Sequence, residues 1–239
     1  MPPVPALPPG QERRERAIVL VHGAWVGEWS WIPVLPLLEA SGRPVHAVSL
    51  TGHGARSHES GPHVTQADHV ADVVGLVGTL DLYDITLVGH SYGGRVITAV
   101  AHEIADRIER LVYLDAHAPT APDAGQSPER IAEAAASGGM LAFGGSYDPD
   151  PAEMGGEEGV AWFRERVMPQ SFATLATPMR SLPDGIARTY VFATGYTPTR
   201  FAAYARAARE DPAWDYTELP GSHWLMFSHP QEVADIILG

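Results

Sequence analysis

Cysteine is absent from this chain of 239 residues. That gap removes disulfides, thiol nucleophiles and cysteine-ligated metals together. Basic charge is scarce as well: 16 Lys and Arg stand against 29 Asp and Glu, a formal net charge of -13 at pH 7. A field of that sign repels nucleic acid and anionic lipid, so neither is expected as a partner. No run approaches the ~18 consecutive apolar residues that a membrane helix needs. The opening MPPVPALPPG lacks a basic n-region and is broken by prolines, which argues against a secretory signal. Residues 1–16 therefore read as a flexible proline-rich leader ending in solvated charges, and a cytoplasmic protein is expected. No internal repeat or second core is visible. With 45% hydrophobic and 19% charged residues, the remainder fits one large α/β domain.

What the chain does contain centres on residues 85–94, ITLVGHSYGG. Ile85 to Val88 form a short apolar, β-branched run of the kind that makes a buried strand. Beyond Ser91 the period changes, and Val96, Ile97, Val100, Ala101, Ile104 and Ile108 recur at helical spacing. G-x-S-x-G, here Gly89 to Gly93, thus sits at a strand-to-helix junction. A sharp turn there lifts a hydroxyl above the sheet, and the helix aims its amide end at any negative charge that develops.

The other segments alternate in kind. Residues 17–21 (AIVLV) are a continuous apolar strand that runs into His22-Gly23-Ala24-Trp25, a turn able to present backbone N–H groups to an oxyanion. A crowded helical stretch is expected over 29–38, with Pro33 in its first turn. A strand at 44–50 follows, ending in Thr51-Gly52-His53-Gly54, and then an amphipathic helix over 64–82. After the serine, 110–116 (RLVYLDA) is a strand with Asp115 at its carboxyl end. Strands at 189–193 and 215–219 and helices near 200–209 and 231–238 complete the pattern. Strands alternating with helices predict a mostly parallel sheet of about six strands covered on both faces. Residues 117–186 break that rhythm. Rich in Gly, Pro, Ala and acids, with short helices expected near 128–136 and 158–167, they read as an inserted, mainly helical lid between core segments 17–116 and 187–239.

A serine at pH 7 needs a base that an acid keeps oriented. Of 11 histidines, His223 follows the last strand in the Pro220-Gly221 turn, at the sheet edge where Ser91 is expected. His22 and His90 flank the site as shaping residues. His46, His69 and His102 read as structural or solvated. His53, His58 and His63 share a loop with no spaced carboxylate, so no metal or other cofactor is expected.

The runs VLVHGAWVGEWSW, TGHG, GHSYGG, LVYLDA and GSHWLMFSHP together resemble the α/β-hydrolase superfamily. More closely, they resemble its compact branch of plant methylesterases, hydroxynitrile lyases and related bacterial esterases. The likeness runs from Ala17 to Gly239 apart from the lid. It implies Ser91 as nucleophile, His223 as base and an oxyanion hole built from the Ala24 and Tyr92 amides. The third member departs from the pattern: the usual acid follows the strand at 189–193, yet residues 194–199 read TGYTPT, with Tyr196 at the acid position. A phenol of pKa near 10 is no anionic partner for imidazolium. The superfamily's second solution, an acid at the end of the strand after the nucleophile helix, implies Asp115. The branch's hydroxynitrile lyases resemble one another in a lysine soon after the catalytic histidine and a threonine in the oxyanion turn. This chain has Trp224-Leu225 and Gly23-Ala24 there, which favours hydrolysis.

Trp25, Trp224, Phe143 and Trp162 are the expected substrate-binding side chains. They imply a small-molecule ester, thioester or lactone with a bulky apolar or aromatic group. Self-association into a homodimer is left open. The competing readings are a cofactor-free lyase or oxygenase with His223 as a plain base, and a non-catalytic ligand receptor on the same fold.

Overall fold

The structure is a computed structural model and describes residues 16–120, 126–144, 147–196, 199 and 201–239. Residues 1–15 of the expected leader lie outside the described residues. The strands are β1 (Arg16–Val21), β2 (Val45–Val48), β3 (Tyr83–His90), β4 (Ile108–Leu114), β5 (Met140–Leu141), β6 (Gln170–Ser171), β7 (Ala187–Ala193) and β8 (Asp215–Leu219). Six of them form one sheet in the order β2-β1-β3-β4-β7-β8, and every neighbouring pair is parallel.

Because both faces of a parallel sheet are covered, its inner strands β1 and β3 are buried along most of their length rather than on alternate residues. The two-residue period survives in what each side chain touches. Ala17, Val19, Val21, Ile85 and Leu87 join one core cluster with Val73, Val77, Val96 and Val100. Val73 and Val77 come from the helix Gln66–Thr79, and Val96 and Val100 from the helix Gly93–Glu103. Ile18, Leu20, Val88, Val112 and Leu114 join a second cluster with Leu38, Val233 and Ile237.

The helices are α1 (Leu35–Glu39), α2 (Gln66–Thr79), α3 (Gly93–Glu103), α4 (Pro128–Ala136), α5 (Glu157–Arg164), α6 (Ala202–Glu210), α7 (Leu225–Ser228) and α8 (Pro230–Leu238). The helix expected over 29–38 is shorter than its apolar content suggested. A 3₁₀ turn at Glu28–Trp31 precedes α1. Pro33 and Pro36 explain the break, since neither supplies an N–H and Pro36 is accepted only in the first turn of α1.

From β1 the chain moves outward to β2, then returns to the other side of β1 as β3. The carboxyl ends of β1 and β3 therefore flank the point where strand order reverses, the crevice where open α/β sheets bind ligands. The segment between β4 and β7 carries α4 and α5 as expected. It also holds an antiparallel β5–β6 pair and a 3₁₀ turn at Phe172–Leu175, so it is less purely helical than its composition indicated. Ser127 caps α4 by accepting from Arg130 N–H at 3.3 Å.

Candidate active site

Ser91 follows the last residue of β3, and its φ of 53° lies in the left-handed region. For a non-glycine residue that conformation costs about 1–3 kcal/mol and persists only where the surroundings impose it. The surroundings here are close backbone contacts. A Cβ on Gly93 would lie 2.5 Å from the Val21 carbonyl oxygen, and one on Gly94 would lie 2.0 Å from that of His117. Only glycine lets α3 start this tightly against β1 and the end of β4. Ser91 N–H donates to the Leu114 carbonyl at 3.2 Å, and the Ser91 carbonyl accepts from His117 N–H at 3.1 Å. The serine backbone is thus tied to both sides of Asp115.

Asp115 directly follows β4, also at positive φ (40°), and is fully buried. His223 lies in the loop between β8 and α7 and retains 3% of its exposure. The two meet at 2.7 Å, His223 Nδ1 to Asp115 Oδ2. Because the carboxylate can only accept, Nδ1 carries the proton and neutral His223 presents a lone pair at Nε2, the tautomer a general base needs. Two further donors reach the same carboxylate: Tyr196 O–H to Oδ2 at 2.6 Å and Ala193 N–H to Oδ1 at 3.3 Å. Among the described residues Ser91 Oγ makes no hydrogen bond to His223. Such nucleophile–base bonds are commonly long in unliganded enzymes and tighten around substrate.

The flanking histidines are structural spacers. Leu50 N–H donates to His22 Nε2, so His22 Nδ1–H donates to the Gly23 carbonyl at 2.8 Å and braces the turn before Ala24. His90 Nε2–H donates to the carbonyl of His223 itself at 2.9 Å, linking the residue before the serine to the backbone of the base. Burial drives the pKa of both well below the ordinary value, which keeps them neutral. His69 acts similarly for Tyr92: its Nε2–H donates to the Thr51 carbonyl and its Nδ1 accepts from the Tyr92 hydroxyl, each at 2.9 Å. Of the three loop histidines, His53 is buried with its ring 5.3 Å from that of His22, whereas His58 is an exposed neighbour of Glu59.

The Ala24 and Tyr92 amides lie at the carboxyl end of β1 and the start of α3, on buried residues. The residue between turn and insert is Trp25, at φ 65°. Its carbonyl accepts from Met168 N–H at 2.9 Å, its indole N–H donates to the Leu141 carbonyl at 3.0 Å, and its amide lies 3.5 Å from Gln170 Oε1. The segment between β4 and β7 is therefore fastened directly to the turn that follows β1. Ser91 keeps 7% of its exposure beneath it.

The four expected substrate contacts separate. Trp25 faces Tyr147 and Phe143, with ring centroids 5.5 and 6.0 Å away, and Tyr147 in turn lies 5.3 Å from His223. Trp224 is packed behind the site between Phe163 and His90, its indole N–H donating to the Tyr147 carbonyl at 2.8 Å. Trp162 packs against Trp29 and Phe227 and under the Arg166 guanidinium. Tyr147 and Phe201 escaped sequence reasoning. Phe201 stacks on His223 at 5.0 Å and 5°, yet it carries no motif signal and its position depends on the path of the loop after β7.

A profile of the Alpha/beta hydrolase family matches residues 18–236. The chain belongs to the alpha/beta hydrolase family. This hydrolase is 36% identical over 232 residues to the carbendazim hydrolyzing esterase of Nocardioides sp. (strain SG-4G), covering 91% of this chain and 96% of that one. It is 33% identical to methylesterase 2 of Arabidopsis thaliana over 129 residues, 53% of this chain and 48% of the relative. Among solved structures, an extracellular alpha/beta-hydrolase from a Paenibacillus species superposes with a TM-score of 0.74 at 22% identity over 93% of this chain and 98% of that one. A variant of the pyrethroid hydrolase PytH superposes with a TM-score of 0.72 at 25% identity over 94% of this chain and 96% of that one. The enzyme's reaction class is carboxylic ester hydrolysis.

Proposed function

We propose that this hydrolase cleaves a small ester with an aromatic or bulky apolar group through an acyl-enzyme on Ser91. The observation that carries the reading is the buried Asp115–His223 contact at 2.7 Å, at the crevice that also holds the strained serine. His223 Nε2 takes the hydroxyl proton as Oγ attacks the carbonyl carbon. The Ala24 and Tyr92 amides hold the tetrahedral oxyanion, and the imidazolium returns its proton to the departing alkoxide. Water, deprotonated by the same nitrogen, then attacks the acyl-enzyme and releases the acid with Ser91 restored. No step needs a cofactor. Asp115, accepting from His223 Nδ1–H, orients the ring and stabilises the imidazolium.

The segment over the site serves as a lid on this reading, since its Met168 and Leu141 are bonded to Trp25 above a serine almost closed to solvent. Trp25, Phe143 and Tyr147 supply an aromatic wall suited to a planar group, and the 36% relative's activity on carbendazim makes that compound the first substrate to assay. The test is a turnover screen of carbendazim and of methyl and p-nitrophenyl esters of graded acyl size, with Ser91→Ala beside the wild type. Hydrolysis of aryl esters that the variant loses supports the proposal. Retention of most activity by Ser91→Ala would sink it.

A further inference from the structure

We propose that Tyr196 is a positioning residue for this reaction, its phenol donating to the Asp115 oxygen that also holds His223 and thereby setting how basic the imidazole is. The inference rests on the ester-hydrolase reading of Ser91 and His223 and adds to it a residue that replaces, in a different chemical role, the carboxylate expected at that position.

The geometry makes the phenol a donor. A carboxylate only accepts, so the phenol's one proton serves Asp115, and the Thr199 hydroxyl, which accepts from Phe201 N–H at 3.0 Å, donates to Tyr196 Oη at 2.9 Å. The phenol proton is then directed at Asp115 Oδ2, 2.6 Å away. Burial, reinforced by the negative charge of Asp115, pushes the phenol pKa far above its ordinary value, so the proton stays on Tyr196 at every working pH. Tyr196 Oη is also 3.4 Å from His223 Nδ1, close enough to share the edge of that hydrogen bond.

Donors to a carboxylate spread its charge. Oδ2 takes His223 at 2.7 Å and Tyr196 at 2.6 Å, and Oδ1 takes Ala193 N–H at 3.3 Å. A carboxylate so occupied gives less stabilisation to an imidazolium than one bonded to histidine alone. The other groups facing the pair do not supply charge. His90 of β3 has its ring 4.5 Å away and is kept neutral by burial, and Tyr190 of β7 is kept protonated by burial. Tyr147 from the segment above presents an uncharged ring at 5.3 Å. Phe201, the residue whose amide starts the chain of donors, stacks flat on the imidazole and resists its rotation. One loop thus supplies both the ring that holds His223 and the proton that tempers its acid.

The experiment is Tyr196→Phe, which keeps the ring and removes the donor, with Thr199→Val removing only the group that orients it. Two readouts are taken: the acidic limb of kcat/KM against pH on a p-nitrophenyl ester, and the NMR titration of the His223 imidazole with its Nδ1–H resonance in a Ser91→Ala background. Tyr196→Phe is expected to move the acidic limb and the imidazole titration up by about half to one pH unit, and to move the Nδ1–H resonance downfield. Thr199→Val should shift both in the same direction by less. A limb and titration that stay within about 0.2 unit, or move down, in both variants would overturn the proposal. If Tyr196→Phe does not fold, Thr199→Val decides alone by the same criterion. The NMR titration needs no turnover, so failure of the ester mechanism itself, read as activity surviving Ser91→Ala, is distinguished from failure of the Tyr196 role.

Discussion

Asp115→Asn changes the site by one atom, and the hydrogen bonds around that atom fix what must follow. Three donors converge on the two carboxylate oxygens: His223 Nδ1–H, Tyr196 O–H and Ala193 N–H. An asparagine offers one acceptor oxygen and one donor group. With its NH₂ at the Oδ2 position it faces both His223 and Tyr196. The imidazole is then driven to the tautomer protonated at Nε2, which cannot take the serine proton. With its NH₂ at Oδ1 it faces Ala193 N–H, and a neutral oxygen replaces the charge that holds the imidazolium. Each arrangement leaves a buried donor unsatisfied, about 1–3 kcal/mol of stability. Loss of the ionised acid lowers kcat about 10⁴-fold in comparable hydrolases, about 5.5 kcal/mol of barrier. Stopped-flow release of p-nitrophenol across the pH range, with circular dichroism to establish folding, reads the effect. A folded Asp115→Asn enzyme with kcat within threefold of wild type would refute the role assigned to this carboxylate.

Further outcomes follow from the same geometry. Ser91→Gly should unfold at a higher temperature than Ser91→Ala, by about 1 kcal/mol in stability, because only glycine relaxes at a φ of 53°; equal melting would show the elbow to be unstrained. Gly94→Ala should lose about 3 kcal/mol or more, or fail to fold, since its Cβ would sit 2.0 Å from a backbone oxygen; a melting temperature near wild type would contradict that packing. Burial lowers the His69 pKa from 6.5 to about 4, so its neutral form is favoured by folding. The unfolded chain binds this proton first, and stability present above about pH 6.5 is lost as pH falls towards 4, about 3 kcal/mol at most from this residue. Urea titrations at pH 7 and 4.5 should show a smaller difference for His69→Gln than for wild type, and an unchanged difference would refute the assignment.

The architecture is legible in the sequence wherever burial is continuous. Residues 17–21 are apolar without interruption and 85–88 are apolar or β-branched because both faces of a parallel strand are covered, and both became inner strands. The amphipathic helix after Thr65 is equally plain, ending at the C-cap Leu80. Where prolines interrupt apolar residues the reading fails: 29–38 has the composition of one helix, but Pro33 and Pro36 remove the N–H groups it would need. The β5–β6 pair is two residues long on each side, too short for any period to show.

Around the site, residues at the ends of strands could be placed because topology carries strand ends to one rim. Residues held by a loop path could not. Tyr196 was visible as an anomaly, a phenol where a carboxylate was expected, but its role as a donor to Asp115 depends on the fold of the chain between β7 and α6. Phe201 and Tyr147 give no sign of themselves until that loop and the segment over the site bring their rings to His223. Trp162, expected beside substrate on its aromatic character, also packs against Trp29 and Phe227 under Arg166, as an aromatic residue in an insert has a small core of its own to fill.

The most direct measurement is intact-mass and peptide mapping after reaction with an activated aryl phosphonate. A single adduct on the peptide containing Ser91, forming at least about 10³-fold more slowly in His223→Ala, is the predicted result. Ester turnover with no adduct at Ser91, or labelling that is indifferent to the loss of His223, would contradict the account.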